Sequence, residues 1–80
     1  MILEVYAVHD AAIGAFNAPL FFRSRGEAVR AFQNACGTEA NFKTHAKDYT
    51  FWLIGSYDDS NGAIVRVEPD RVCGASDFVV

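Results

Sequence analysis

One stretch in the middle of the chain has the repeat of an amphipathic helix with a marker at each end, and it limits the folds available. Ser24 suits the N-cap, and Glu27, three residues on, completes a capping box. Gly37 suits the left-handed position just past the helix. The apolar residues between them recur at three- and four-residue steps, and they are Ala28, Val29, Phe32, Ala35 and Cys36. We expect one helix that lies on a sheet; a helix that docks into a partner is the other interpretation.

The segment before this helix predicts a β-hairpin. Residues 2–9 are rich in β-branched and aromatic side chains and alternate in the manner of a half-buried strand. Turn residues at 10–14 allow the chain to reverse, and residues 16–22 return beside the first strand. Pro19 has no amide proton, so this strand either lies at the sheet edge or breaks into two short pieces.

The segment after the helix predicts a loop over residues 38–48, pinned to the core by Phe42, and then a second hairpin. Residues 49–57 are apolar on both faces, which indicates a central strand with one face under the helix. Asn61-Gly62 suits a tight turn, and residues 63–68 pair back until Pro69-Asp70 stops them. The tail, residues 71–80, ends in an apolar run that forms a short fifth strand or packs on a neighbour.

These elements predict an α+β fold in the order β-hairpin, helix, β-hairpin. The sheet is four-stranded and mainly antiparallel, with one helix packed on one face, and residues 1–80 form a single domain. A single helix leaves the second face of the sheet bare in a chain that is 51% hydrophobic. We therefore expect a homodimer that self-associates through Trp52, Ile54 and Ile64.

The sequence offers little for catalysis or metal binding. Cys36 and Cys73 lack metal-ligand spacing, and His9 and His45 lie far apart without a ligand cluster. No nucleophile with a neighbouring base is evident, so we expect no catalytic residue, no metal, no cofactor and no enzyme activity. The chain begins without the features of a secretory signal and lacks the run of about 20 apolar residues that spans a membrane. A cytoplasmic protein without membrane contact is expected.

The charge of the chain is polarised. The net charge is −3, yet residues 23–47 hold five cations against two carboxylates, and the rest holds two arginines against eight carboxylates. The five cations form the candidate nucleic-acid-binding set: Arg23, Arg25, Arg30, Lys43 and Lys47. The positive dipole end of the helix suits a phosphate, and Phe22 or Phe42 could stack on a base. The alternative is that these cations form a solvated surface and that both phenylalanines belong to the core.

Three segments carry a resemblance to a known family. They are Phe22-Arg23-x-x-Gly26-Glu27-Ala28-x-Arg30-Ala31-Phe32, His45-x-x-Asp48-Tyr49-Thr50 and Ile54-Gly55-x-Tyr57-Asp58-x-x-x-Gly62. In this order they resemble the small nonstructural, ORF5-type protein of gokushovirus-like microviruses, which are tailless phages with circular single-stranded DNA. The chain departs from that pattern at Ala46, where the family commonly has proline after the histidine, and in its C-terminal tail.

The resemblance implies a non-enzymatic protein that is made in the cytoplasm of the infected bacterium and is not retained in the capsid. It implies a role in single-stranded genome synthesis and packaging, with DNA binding assumed. The alternative is an interaction module that acts on a phage replication or procapsid protein, or on a host protein, without touching DNA.

Overall fold

The computed structural model describes residues 1–79, which form two layers, a curled antiparallel sheet and a helical layer on one of its faces. The strands are β1 (Ile2–Asp10), β2 (Ala15–Phe16), β3 (Leu20–Phe22), β4 (Tyr49–Asp58) and β5 (Ala63–Gly74). The helices are α1 (Arg25–Thr38) and α2 (Ala40–Thr44), with 3₁₀ helices at Ala46–Asp48 and Ala75–Asp77. The predicted α+β fold, with one main helix on one face of an antiparallel sheet, is confirmed.

Two long strands occupy the middle of the sheet. β4 pairs with β1 on one side and β5 on the other, and β2 and β3 both pair with the far edge of β1. Pro19 lies between β2 and β3. The predicted second strand is therefore divided into two short strands, which was one of the two alternatives. Gly14 and Gly62 adopt φ values of 65° and 75° at the two chain reversals, a conformation that favours glycine.

The last strand runs further than the sequence suggested. Pro69 does not end β5, which continues to Gly74, so residues 71–74 extend β5 and do not form a separate fifth strand. Opposite Ile54 the register shifts, because Leu53 pairs with Asp70 while Gly55 pairs with Arg66. Pro69 therefore lies in an irregular section of an edge strand, where its missing amide proton costs no ladder hydrogen bond.

Helix α1 begins as predicted and ends later. The Glu27 amide donates to the Ser24 hydroxyl over 3.2 Å, and the Glu27 carboxylate accepts from the Arg23 amide over 3.4 Å. We expected Gly37 just past the end of the helix, but it lies inside α1. The Thr38 hydroxyl donates to the Asn34 carbonyl (3.2 Å) and the Glu39 amide to that of Ala35 (2.8 Å). Carbonyl groups of the last helical turn need hydrogen-bond donors other than the amides of the helix itself, and a left-handed glycine often brings backbone amides to them. Here Thr38 and Glu39 supply those donors.

The segment predicted as a loop over residues 38–48 contains α2 and a 3₁₀ helix, and in this respect the prediction was wrong. Phe42 does pin it to the core, as expected. Its ring centroid lies 5.7 Å from that of Phe32 and 4.6 Å from that of Tyr49. Five residues are too few to show a helical repeat, so packing of Phe42 decides the conformation of α2.

Three stacked aromatic rings join the two layers. Tyr6 of β1 stacks on Phe51 of β4 (5.2 Å, interplanar angle 9°), and Phe51 stacks on Phe32 of α1 (4.7 Å, 11°). Phe78 of the tail meets the edge of Phe32 at 6.2 Å. The tail therefore packs on the core of its own chain as far as residue 79. The predicted apolar run also includes Val80, which lies outside the described residues.

Truncating the ring that α1 contributes to this stack tests whether the stack is the core. We expect Phe32→Ala to lower the free energy of unfolding by roughly 3–5 kcal/mol, because it removes a buried ring and leaves a cavity between Phe51 and Phe78. Urea unfolding followed by circular dichroism measures the change. Ile13→Ala, at a turn residue that is 69% exposed, is the control and should change stability by less than about 0.5 kcal/mol. Equal changes in the free energy of unfolding for the two variants would show that the aromatic stack is not the core.

Two glycine-to-alanine variants should change stability in opposite directions. A Cβ at Gly55 would lie 2.8 Å from the Val65 carbonyl oxygen, so Gly55→Ala forces the backbones of β4 and β5 apart and is destabilising. A Cβ at Gly37 meets nothing within 4 Å, and alanine favours a helix by roughly 0.5–1 kcal/mol over glycine. Gly37→Ala should therefore raise the urea midpoint. A lower midpoint for Gly37→Ala would indicate that α1 ends before residue 37.

Candidate nucleic-acid interface

The five cations of the candidate set are all exposed and lie on the helical side of the sheet. Arg23 and Arg25 lie at the amino end of α1, Arg30 lies within it, and Lys43 and Lys47 follow its carboxyl end. The 14 residues of α1 rise about 20 Å at 1.5 Å per residue. The structure therefore spreads these cations along the helical layer and does not collect them at one point.

The amino end of α1 is less positive than the sequence suggests. The Arg25 guanidinium pairs with the Asp70 carboxylate of β5 at 2.9 Å, and this hydrogen bond raises the pKa of Arg25. The Glu27 carboxylate also lies at the helix start, where it accepts from the Arg23 amide. Sequence reasoning could not find the first pair, because Asp70 is 45 residues away from Arg25. A phosphate at this helix end would meet two carboxylates beside the two arginines.

The other four cations have no such partner in the part of the chain that the structure describes. Within residues 1–79, no carboxylate lies within ion-pairing distance of Arg23, Arg30, Lys43 or Lys47. Lys43 and Lys47 are brought together by α2 and the 3₁₀ helix that follows it. Both line a shallow depression of about 390 Å³ that is formed by residues 43–48. This end of the helical layer thus presents two exposed lysines around one depression, which Asp48 also lines.

The two phenylalanines that could stack on a base belong to the packed interior. Phe22 is half-buried and meets the edge of the Tyr6 ring at 5.9 Å, while Phe42 is held between Phe32 and Tyr49. Their rings are engaged by neighbouring side chains. The arrangement matches the core interpretation of both residues and leaves the charged groups as the accessible chemistry of the helical layer.

The sequence did not indicate a groove that opens on the helical side. It has a volume of about 550 Å³ and lies between α1, α2 and the linker of β2 to β3. Small residues on α1, Ala31 and Ala35, leave room above a floor that includes Phe22, Phe32 and Phe51. The polar groups that line it are Asp10, Asn17, Glu39 and Asn41. Burial and the nearby Asp10 and Asp48 carboxylates raise the pKa of Tyr49, which also lines the groove. An apolar floor with carboxylates suits a cationic or donor-rich ligand.

The face of the sheet turned away from α1, here called the open face, carries Phe16, Phe21, Trp52, Ile54, Tyr57 and Ile64. Trp52 and Ile54 are half-buried, and Ile64 is 68% exposed. Phe16 meets the Trp52 ring edge-on at 6.3 Å, and Phe21 meets Tyr57 at 5.3 Å. Sequence reasoning missed Phe16 and Phe21, because Pro19 interrupts the alternation that would have placed them on this face.

A depression of about 410 Å³ lies in the open face. Its lining is largely apolar and includes Phe16, Phe21, Ile54 and Ile64, with Arg66 as its charged member. The Trp52 indole N–H donates to the Thr50 hydroxyl over 2.8 Å, so the ring is already satisfied within the strand. The open face is thus largely apolar and aromatic, in contrast to the charged helical layer.

The two cysteines of the chain lie in the core. Cys36 and Cys73 are buried free thiols. Burial raises the pKa of both, that of Cys73 to about 11, which keeps them protonated at neutral pH. Among residues 1–79 no three His, Cys, Asp or Glu side chains come together as a metal site. Neither α1 nor a shorter helix of the described chain has the length and apolarity needed to cross a bilayer.

Comparison with known proteins places the chain in one family. No curated protein and no solved structure matches it significantly. A family model described as "Phage ORF5 protein" matches residues 3–78. This range contains all of β1 but its first residue, the other four strands, both α-helices and Phe78, which packs on Phe32. The match also agrees with the resemblance carried by the three sequence segments. The chain belongs to the phage ORF5 protein family.

Proposed function

We propose that this phage protein is a non-enzymatic factor that assists single-stranded DNA genome synthesis or packaging in the cytoplasm of the infected bacterium, and that it does so by binding single-stranded DNA. The observation that carries the proposal is the set of exposed cations on the helical layer. Four of them, Arg23, Arg30, Lys43 and Lys47, lack a carboxylate partner within residues 1–79. The family supports a phage role.

The spacing of these cations suits an extended backbone better than a single phosphate group. They follow α1 and α2 over a length of about 20 Å, which several nucleotides of a stretched strand would cover. Each phosphate contact releases counterions, so affinity from such contacts falls steeply with salt. Arg25 contributes less to this surface, because Asp70 already holds its guanidinium.

Salt-dependent binding of a single-stranded oligonucleotide tests the proposal. Four phosphate contacts predict a slope of about −2.8 for the logarithm of affinity against the logarithm of salt concentration, or a loss of about 50-fold from roughly 50 to 200 mM salt. Fluorescence anisotropy measures it. Arg23→Ala combined with Arg30→Ala, Lys43→Ala and Lys47→Ala should abolish the slope.

The control removes the two arginines of β5. Arg66→Ala with Arg71→Ala takes cations from outside the helical layer, and it should leave the slope within error of the wild type. A wild-type chain that binds no oligonucleotide even at the lowest salt rules the proposal out. The control removes half as many cations, so a loss of slope about half that of the four-fold variant would show that total charge, and not this surface, governs binding.

A second function is favoured by the groove between α1, α2 and the β2–β3 linker. Its apolar floor and its Asp10 and Glu39 carboxylates fit a protein segment that carries an apolar side chain beside a cation. The chain would then act as an interaction module on a phage replication or procapsid protein, or on a host protein, without DNA contact. Recovery of such a phage protein after nuclease treatment, lost on Ala18→Arg at the groove wall, would support this function over the first.

A further inference from the structure

We propose that the open face of the sheet is the interface of a face-to-face homodimer. The proposal does not depend on DNA binding, because it uses the opposite side of the molecule from the exposed cations. It places Trp52, Ile54 and Ile64, together with Phe16 and Phe21, between two copies of the chain.

The described chain leaves this face uncovered. Both α-helices lie on the other face, and the tail, which could have crossed the sheet, instead places Phe78 against Phe32 on the helical side. Phe16, Phe21 and Ile64 are each more than 40% exposed, and all three line the 410 Å³ depression. An apolar area of this kind on a small protein marks an interaction site.

The size of the open face is compatible with a dimer. The chain measures 40 × 24 × 17 Å along its principal axes. The two longer axes bound an outline of at most about 960 Å², against about 800 Å² per partner in a standard interface. A dimer of standard size would therefore use most of this face.

The chemistry of the face favours a protein surface over a strand of DNA. Two of its aromatic pairs meet edge-on, at 83° for Phe16–Trp52 and 69° for Phe21–Tyr57, so neither pair presents two parallel ring faces to stacked bases. The aliphatic side chains of Ile54 and Ile64 offer bases no stacking partner. Aromatic and aliphatic residues with a few arginines and no buried lysine are typical of the centre of a protein interface.

A second copy fits this face better than addition of a strand to its edge. β5 is the long edge strand, and there Pro69 and the charges of Arg66, Glu68 and Asp70 oppose pairing with another strand. In a two-fold arrangement the same apolar area meets itself, so every apolar group finds an apolar partner.

Two matched variants test the interface. Ile64 and Ile13 are 68% and 69% exposed, but only Ile64 lies on the open face. Sedimentation equilibrium at micromolar concentration should give twice the chain mass of 8.8 kDa for the wild type and for Ile13→Lys. Ile64→Lys should weaken the dimer by about tenfold or more, because it buries an unpaired ammonium group. Urea unfolding at a concentration where every chain is monomeric verifies that both variants fold.

The single tryptophan provides an independent measurement. Trp52 lies on the open face and is the only tryptophan of the chain. Its emission should shift to the blue, and its quenching by iodide should fall, as the wild-type concentration rises. A wild type that stays monomeric at all concentrations overturns the proposal, and so does a dimer that Ile64→Lys leaves intact. A monomer whose Trp52 emission changes on addition of single-stranded DNA would make this face a base-binding surface instead.

Discussion

The stack of Tyr6, Phe51 and Phe32 is the interaction on which the rest of the structure depends. These rings are at most 3% exposed, and they join the two central strands to α1. A chain of 80 residues buries too little surface to have a second core, so this stack decides which face of the sheet α1 covers. The Arg25–Asp70 pair ties the same layers together, but both side chains are exposed, so solvent screens the pair and it adds little to stability. Packing, and not charge, therefore sets the position of the helical layer.

Much of this fold could be predicted because its long elements carry clear side-chain periods. The stripe of α1 and the alternation of β4 depend on nearest neighbours in sequence, which is the information that a sequence displays. The elements that differ from the sequence prediction are those whose conformation is fixed by contacts distant in sequence. α2 follows from the packing of Phe42, and β5 passes Pro69 because a register shift opposite Ile54 frees the proline from the ladder. Neither effect leaves a local signal.

The same distinction applies to the candidate sites. The cations of the helical layer could be listed from sequence, but their separation along α1 and the loss of Arg25 to Asp70 could not. On the open face, Trp52 and Ile54 lie in a long strand with a regular period. Phe16 and Phe21 reach the same surface from two short strands, whose register is set by pairing with β1. Residues from short or broken elements are therefore the ones that sequence reasoning misses.

The acidic balance of the chain has a local structural cause that bears on its ligands. Seven of its ten carboxylates accept hydrogen bonds within turns, caps or neighbouring strands, among them Asp58 at the β4–β5 turn, Asp59 at the amino terminus and Asp77 at the tail. Four of the seven accept from backbone amides, so they serve the local conformation of the chain. A phosphate at the helical layer experiences mainly the charges within a Debye length, about 10 Å at 0.1 M salt, on a molecule 40 Å long. The net charge of −3 therefore does not decide which ligand this surface accepts; the charges nearest to Arg30, Lys43 and Lys47 do.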